Sequence, residues 1–325
     1  MACFLIIQTA FIGDVILCTP VISELKRLYP DAKIDVVLRK GNESLLAHHP
    51  DLNEIFVWNK TNGKYKSLRK IIRDVRKNTY DEVINLQRFH SAGLICMFSR
   101  AKKKIGFTSN KFPFVYSKRV KHNIGDGTHE VERNLRTIQH HEGARALVRP
   151  SLYPSEQDIA IASEVKINEE EYICMAPASV WETKKLPTEK WIELAGRKSV
   201  EHIIYLIGGP QDFDLCEKIR KASNPKKVVN TCGKLSLLQS AALMKEATMN
   251  YVNDSGPMHL ASAVNANTTA FFCSTVPRFG FGPLSDNHKI VETQEKLDCR
   301  PCGLHGYKKC PEGHYKCGQE ISVDL

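Results

Sequence analysis

Phe4-Leu5-Ile6-Ile7-Gln8-Thr9-Ala10-Phe11-Ile12-Gly13-Asp14-Val15 is the stretch on which the reading of the chain turns. Phe4–Gln8 is an apolar run of strand length, Gly13-Asp14 follows within a few residues, and Val15–Leu28 has the length and spacing of a helix. A buried strand that turns directly into a helix is the first half of a strand–helix–strand unit. No basic segment precedes the apolar run and no small-residue cleavage site follows it, so it reads as a first core strand, not as a leader.

The same alternation continues outward. Ile34–Leu38 and Glu54–Trp58 are short strands, Tyr65–Lys77 is a basic amphipathic helix, and Glu82–Leu86 is a strand that runs into Gln87-Arg88. It restarts after about residue 165. Tyr172–Ala176, Ile203–Ile207, Asn250–Val252 and Thr268–Phe272 read as strands, with helices over Glu189–Lys198 and Leu237–Met244. Short apolar strands separated by helices of ten or more residues predict parallel sheets with crossovers. Two α/β domains are expected, residues 1–160 and 161–325, each a Rossmann-like sheet, facing one another across a cleft. The boundary region holds Pro150, Pro154 and the polar run Ser155–Asp158. Ligands of such sheets bind outside the carboxyl ends of the strands, beside helix N-termini.

Composition narrows the function classes. The 325 residues are 42% hydrophobic and 25% charged, an ordinary globular mix that excludes collagen-like, disordered and small disulfide-rich chains. No apolar run of 18 or more residues occurs. Residues 1–150 hold 26 of the 46 Lys+Arg but only 14 of the 36 Asp+Glu, so the first half carries all of the basic excess. Such asymmetry suits an anionic partner, such as nucleic acid, a phosphorylated lipid surface or an acidic sugar; it also suits a basic surface that only aids solubility. Seven of the eleven cysteines are scattered, several in apolar runs, and read as reduced core thiols of a cytoplasmic enzyme.

Four segments have residues suited to chemistry. Gly13 permits a tight turn, and Asp14 at a helix start can take a proton from a hydroxyl nucleophile. The helix dipole there would keep it ionised and only weakly basic, and on residue type alone a plain helix cap is the favoured account of an Asp at that position. Asp254-Ser255-Gly256-Pro257-Met258-His259 lies at a second strand-to-helix turn, where free backbone N–H groups make an anion site and His259 lies one turn on. A capped helix with a buried histidine is the plainer alternative. Ser179 and Lys184 stand in a loop between strand and helix, where a lysine suits a diphosphate leaving group; an exposed loop with surface lysines fits the same residues. Cys299, Cys302, Cys310 and Cys317 are spaced x2, x7 and x6, as in a tetrathiolate knuckle for a structural zinc or iron; two disulfides or four free thiols remain open. No Walker motif, G-x-G-x-x-G, serine-hydrolase elbow or HExxH is present.

In order along the chain, Gln8–Val15, Thr19-Pro20, Val83–Gln87, Lys104–Phe107, His129–Arg133, Lys184–Pro187, Cys232–Leu237, Asp254–His259 and the Cys-rich end resemble glycosyltransferase family 9, the ADP-heptose:lipopolysaccharide heptosyltransferases. The resemblance implies a GT-B fold, with an N-terminal acceptor domain and a C-terminal domain, tail 299–317 included, for the nucleotide-sugar. It implies an inverting transfer of heptose or a related sugar from an ADP-sugar, with no metal or other cofactor needed for catalysis. Asp14 matches the general base, and Ser179, Lys184, Asp254, Ser255, Gly256 and His259 match the donor site. The implied acceptor is a phosphorylated glycolipid of the lipopolysaccharide core, reached peripherally from the inner face of the inner membrane, with Gly13, Arg88, Lys102, Lys103 and Lys104 as its contacts. Some relatives carry an acidic residue for the nucleotide ribose just after the glycine of the Cys232-Gly233 segment; Lys234 and Ser236 stand there in this chain.

Two other functions fit parts of the sequence. A non-catalytic nucleotide- or nucleic-acid-binding protein could use the basic half, but no nucleic-acid module or array of aromatics is present, so no nucleic acid is expected as partner. A redox or metal sensor could be built on the four-cysteine tail.

Overall fold

The computed structural model describes residues 1–60, 63–168 and 170–325. They form two compact units. The first holds 1–124 and 128–151, the second 125–127 and 152–325. The division therefore falls nine residues before the expected 160.

In the first unit, β1 (Cys3–Gln8) leads through α1 (Ile12–Leu28) to β2 (Lys33–Arg39) and then β3 (Glu54–Trp58). Helix α2 (Lys64–Val75) precedes β4 (Tyr80–Asn85), α3 (His90–Phe98), β5 (Ala101–Phe107), β6 (Lys118–Val120) and α4 (Glu130–Leu135). The sheet order is β3-β2-β1-β4-β5-β6, parallel throughout. The unbroken apolar run of β1 is explained by its central place: Leu5, Ile6 and Ile7 are fully buried, with sheet neighbours on both edges and side chains packed on both faces. Pro20 sits inside α1 and cannot donate to the Ile16 carbonyl; the neighbouring Thr19 hydroxyl donates to it instead, at 2.8 Å. Thr19 Oγ1 also accepts the Ser151 N–H at 3.0 Å, which ties down the end of the unit.

The second unit begins with α5 (Glu156–Glu164), β7 (Tyr172–Ala176), α6 (Thr188–Lys198), β8 (Ile203–Leu206), α7 (Phe213–Ala222) and β9 (Val228–Asn230). It continues with α8 (Leu237–Glu246), β10 (Met249–Asn253), α9 (Gly256–Ala263), β11 (Thr268–Phe272), β12 (His288–Glu292) and α10 (Lys316–Gln319). Its order, β12-β11-β10-β7-β8-β9, is the same doubly wound topology as the first sheet. Trp191 and Phe271 meet edge-on in its core at 5.4 Å, and Cys317, Ile321 and Val323 from the chain end pack into the same cluster. Each unit thus has one topological switch point, between β1 and β4 in the first and between β7 and β10 in the second.

All eleven cysteines are free thiols. Cys18, Cys96, Cys174, Cys216, Cys232 and Cys273 are buried, as the scattered pattern suggests. Among the described residues, no helix is long and apolar enough to cross a membrane.

Candidate active site

The loops that leave β1 and β4 make the carboxyl-end crevice of the first unit. The Lys60 ammonium donates to the Thr9 carbonyl at 2.8 Å, and the Asn42 side-chain amide donates to that of Ala10 at 2.9 Å. The Gln87 amide donates to the Gln8 side-chain oxygen, and the Gln87 carbonyl accepts from Asn110 at 2.7 Å. These bonds fix the loop from which α1 starts. Phe11 is the N-cap, so Asp14 is the third helical residue and accepts the Phe11 N–H at 3.2 Å. The capping role expected of Asp14 is present, but as the reach-back half of a capping box.

Asp14 is half-buried, and its carboxyl is pushed up to about 6. Burial is the largest cause and the charge of Glu130 adds to it, while the backbone N–H bonds and Arg88 pull the other way. This corrects the expectation of a weakly basic carboxylate held down by the helix dipole: loss of hydration and a nearby anion outweigh the backbone dipoles. Glu130 itself is buried and accepts from His122 Nε2 at 3.0 Å and from Arg133 Nε at 2.7 Å. Arg133 is fully buried and also donates to the carbonyls of Asn123 and Thr128. The role of Glu130 was not legible in the sequence beyond its membership of His129–Arg133; its i,i+3 spacing to Arg133 is the signal that could have shown it. Arg88 is exposed at the end of β4, and Gly13 is half-buried in the first turn of α1.

Lys102, Lys103 and Lys104 are not brought to this crevice, contrary to expectation. The register pairs Phe4 with Glu82 and Glu82 with Lys103, so the three lysines lie at the amino ends of the strands, roughly 13 Å along the sheet from Gln8. There Lys102 pairs with Asp81 at 2.8 Å, Lys103 with Glu82 at 3.4 Å, and Lys104 donates to the Met97 carbonyl at 2.6 Å. The basic run is the exposed beginning of β5, whose strand polarity carries it away from the site.

In the second unit the corresponding crevice lies between β7 and β10. Asn253, at the end of β10, is buried; its amide donates to the Pro177 carbonyl at 2.8 Å and its oxygen accepts the Leu186 N–H at 2.9 Å. One side chain thus clasps both ends of the loop that carries Ser179 and Lys184. Lys184 pairs with the buried Asp254 carboxylate at 2.7 Å, and the Thr275 hydroxyl donates to that same carboxylate at 2.6 Å. Ser179, Ser255 and Gly256 are half-buried. Ser255 is the N-cap of α9 yet makes no side-chain cap; Pro257 has no N–H and the Met258 N–H turns back to the Ser255 carbonyl at 3.1 Å, so the N–H groups open to a ligand are those of Ser255 and Gly256, which have no partner among the described residues. His259 is buried within α9. Lys234 is exposed, and Ser236 caps α8 by accepting the Gln239 N–H at 3.2 Å.

The Cys-rich tail braces the Lys184 loop. The Thr183 hydroxyl accepts from Tyr307 N–H at 2.8 Å and from Ser274 Oγ at 3.0 Å, and Tyr315 OH donates to the Lys185 carbonyl. Gly306 makes this possible: its φ is +75°, and a Cβ there would stand 2.8 Å from Thr183 Oγ1 and 3.3 Å from Lys184 Cγ. Arg300 donates to the carbonyls of Cys273, Phe272 and Thr275 and pairs with Glu292 at 2.6 Å. The four tail thiols share this corner. Cys302 is raised by burial and then by Cys299 and Cys310. They are nevertheless not gathered as a tetrathiolate. Among the described residues, the one group of three or more ligand atoms within 4.8 Å of each other is Glu82–His140–His141. No three of the tail thiols lie within 4.8 Å of one another, and the hydrogen bonds above hold the segment in this arrangement.

Comparison with known proteins agrees with the topology. The model of glycosyltransferase family 9 (heptosyltransferase) matches residues 68–315. The chain is 28% identical over 280 residues to lipopolysaccharide heptosyltransferase 3 of Escherichia coli K12, covering 81% of this chain and 80% of that one. A glycosyltransferase family 9 structure from Veillonella parvula superposes with a TM-score of 0.87 at 21% identity, over 99% of this chain and 94% of that one. The E. coli heptosyltransferase WaaC with ADP-2-deoxy-2-fluoro heptose superposes with a TM-score of 0.73 at 20% identity, over 93% and 97%. With the family model spanning most of its length, two doubly wound sheets and charged residues at both switch points, this chain belongs to glycosyltransferase family 9, the heptosyltransferases.

Proposed function

We propose that the protein transfers a heptose from ADP-heptose to a phosphorylated sugar of a lipopolysaccharide core, with inversion at the anomeric carbon and Asp14 as general base. The observation that carries the reading is the Asp14 carboxyl, pushed up to about 6 at the switch point of the first sheet. A base with a pKa near the working pH is both ionised and able to hold a proton. The ADP-heptose analogue bound by WaaC and the name of the E. coli relative support the donor and the acceptor class.

In the proposed step the acceptor hydroxyl attacks the anomeric carbon and its proton passes to Asp14. The bond between that carbon and the diphosphate oxygen breaks, and ADP leaves with the electron pair. Lys184 and the open N–H groups at Ser255-Gly256 stabilise the charge that grows on the diphosphate, and Ser179 adds a hydroxyl donor. Asp254 has a different part from the one the motif suggests. A buried carboxylate would repel a diphosphate, so it serves as a positioning residue that holds Lys184, with Thr275 fixing it in turn. His259, buried in α9, is likewise assigned to positioning. Arg88 and Gly13 face the acceptor; the Arg88 guanidinium supplies a phosphate contact. The first unit is thus the acceptor domain and the second the donor domain. The basic excess of the first half suits work at the inner face of the inner membrane from the cytoplasm.

Asp14→Asn tests the reading. Transfer of heptose from ADP-heptose to a core acceptor is expected to fall by about 10²–10⁴-fold, the range for a lost general base, with ADP affinity by calorimetry unchanged. Turnover at the parental rate would remove Asp14 from the chemistry.

A further inference from the structure

Away from the crevice, the first unit holds a second convergence of titratable groups. Glu82 lies in β4 and is 4% exposed. His140 and His141 come from the segment that follows α4. His140 Nε2 stands 3.0 Å from Glu82 Oε1, and His141 Nε2 stands 3.0 Å from Glu82 Oε2. The two imidazoles lie tilted at 37° with centroids 4.0 Å apart, and both Nε2 atoms face the same carboxylate. One ligand atom from each residue lies within 4.8 Å of the others.

We propose that Glu82, His140 and His141 bind one divalent first-row metal ion, with zinc the best match to two imidazoles and a carboxylate. Three protein ligands of this kind are a recurrent zinc set, and Zn–N and Zn–O bonds of about 2.0–2.2 Å place ligand atoms roughly 3.3 Å apart in a tetrahedral arrangement. The two distances of 3.0 Å already approach that spacing.

The surroundings fix one ligand from outside. Tyr29 OH lies 2.8 Å from His141 Nδ1, and the rings of Phe4 and Tyr29 meet the His141 ring edge-on at 6.0 and 5.3 Å. A partner on the far ring nitrogen sets tautomer and orientation, as outer-shell groups do at metal sites. Two cations oppose the ion: Lys118 acts on His140, and Lys103 stands 3.4 Å from Glu82 Oε1 with a side chain 62% exposed, so its ammonium can swing into solvent when a cation enters. The site stands at the amino ends of the strands, far along the sheet from Asp14. Its effect would be to clamp β4 to the segment after α4 and not to take part in transfer.

The test uses the full-length protein freed of metal and titrated with Co²⁺, then with Zn²⁺ as competitor. Cobalt on imidazole and carboxylate shows ligand-field bands without the thiolate charge-transfer band that cobalt on the cysteine tail would give. One such cobalt per chain is expected, displaced by Zn²⁺, with affinity at least tenfold lower in His141→Asn and about tenfold lower in Tyr29→Phe. Circular dichroism checks that the variants are folded; Tyr29→Phe keeps every ligand and decides the matter if His141→Asn does not fold. Cobalt bound through thiolates alone, no cobalt at all, or affinity unchanged in the folded variants would overturn the proposal and leave a carboxylate shared by two histidines as an ion-pair cluster.

Discussion

Removing the proposed base should make the first unit more stable, and only at the pH where the base is charged. The Asp14 carboxyl is raised from 3.8 to about 6 by burial and by Glu130. Below about pH 4 it is protonated in the folded and unfolded states alike, and it contributes nothing. Between about 4 and 6 the folded state binds more protons, so stability falls as pH rises; above 6 the whole penalty is present. Roughly two pH units at 1.36 kcal/mol each give about 3 kcal/mol. Because the side chain is only half-buried, screening reduces this to about 1–2 kcal/mol. Asn at position 14 lacks the charge but still accepts the Phe11 N–H through its side-chain oxygen. Hydrogen exchange of peptides from β1 and α1 across a urea series reads the first unit alone, which matters in a chain of two units. Asp14→Asn should gain about 1–2 kcal/mol at pH 7.5 and nothing near pH 4. A variant no more stable at pH 7.5, or one whose gain persists undiminished at pH 4, would refute the electrostatic account. Such a gain with loss of transfer is the trade expected where a site keeps a costly charge for function.

Three further outcomes follow from the same contacts. Glu130→Gln removes the anion that helps raise Asp14, so the ascending limb of kcat/KM against pH should move to lower pH while ADP binding stays unchanged; an unmoved limb would mean that Glu130 does not act on the base. Asp254→Asn releases Lys184 from its 2.7 Å partner and should raise the donor KM roughly 10- to 100-fold, the 1.5–3 kcal/mol of one charge-assisted contact, with little change in acceptor KM. Gly306→Ala forces a Cβ against Thr183 and a side chain into positive φ; about 1–3 kcal/mol of stability should go from the second unit, with weaker ADP binding by calorimetry, whereas unchanged ADP affinity would separate the tail from the Lys184 loop.

The central strands were legible because burial on both faces turns them into plain apolar runs: Phe4–Gln8, Ile34–Leu38 and Tyr172–Ala176 are strands where the sequence places them. The strand Ala101–Phe107 was hidden because its first half is exposed and carries three lysines, which pattern alone cannot tell from a surface patch. Strand His288–Glu292 is an edge strand with two exposed residues at its start, and it lacks the same signal. The candidate residues at the loops after β1, β7 and β10 stand out in the sequence through their turn chemistry, Gly13-Asp14 and Asp254-Ser255-Gly256. What no local pattern holds is the long-range electrostatics. The effect of Glu130 on Asp14 spans 116 positions and that of Asp254 on Lys184 spans 70; both arise only when the sheet order is known.

The two units show how one topology yields opposite electrostatics. Each sheet follows the same order, and each places an aspartate beside the start of a helix at its switch point. Asp14 is raised first by burial and then by an anion for a neighbour, Glu130, and its backbone N–H bonds and the exposed Arg88 only partly offset the two. Asp254 has a cation and a hydroxyl, Lys184 at 2.7 Å and Thr275 at 2.6 Å, and its charge is spent on holding them. A carboxylate near an anion, partly out of water, keeps affinity for a proton; a carboxylate paired with a lysine anchors a positive charge instead. The residue type and the turn are the same, and the neighbours decide which aspartate is suited to general base and which to positioning a lysine for a departing diphosphate. On this argument an exchange of environments should exchange the roles: a cation introduced beside Asp14 would depress it and abolish its use as a base at neutral pH, even with the carboxylate still in place.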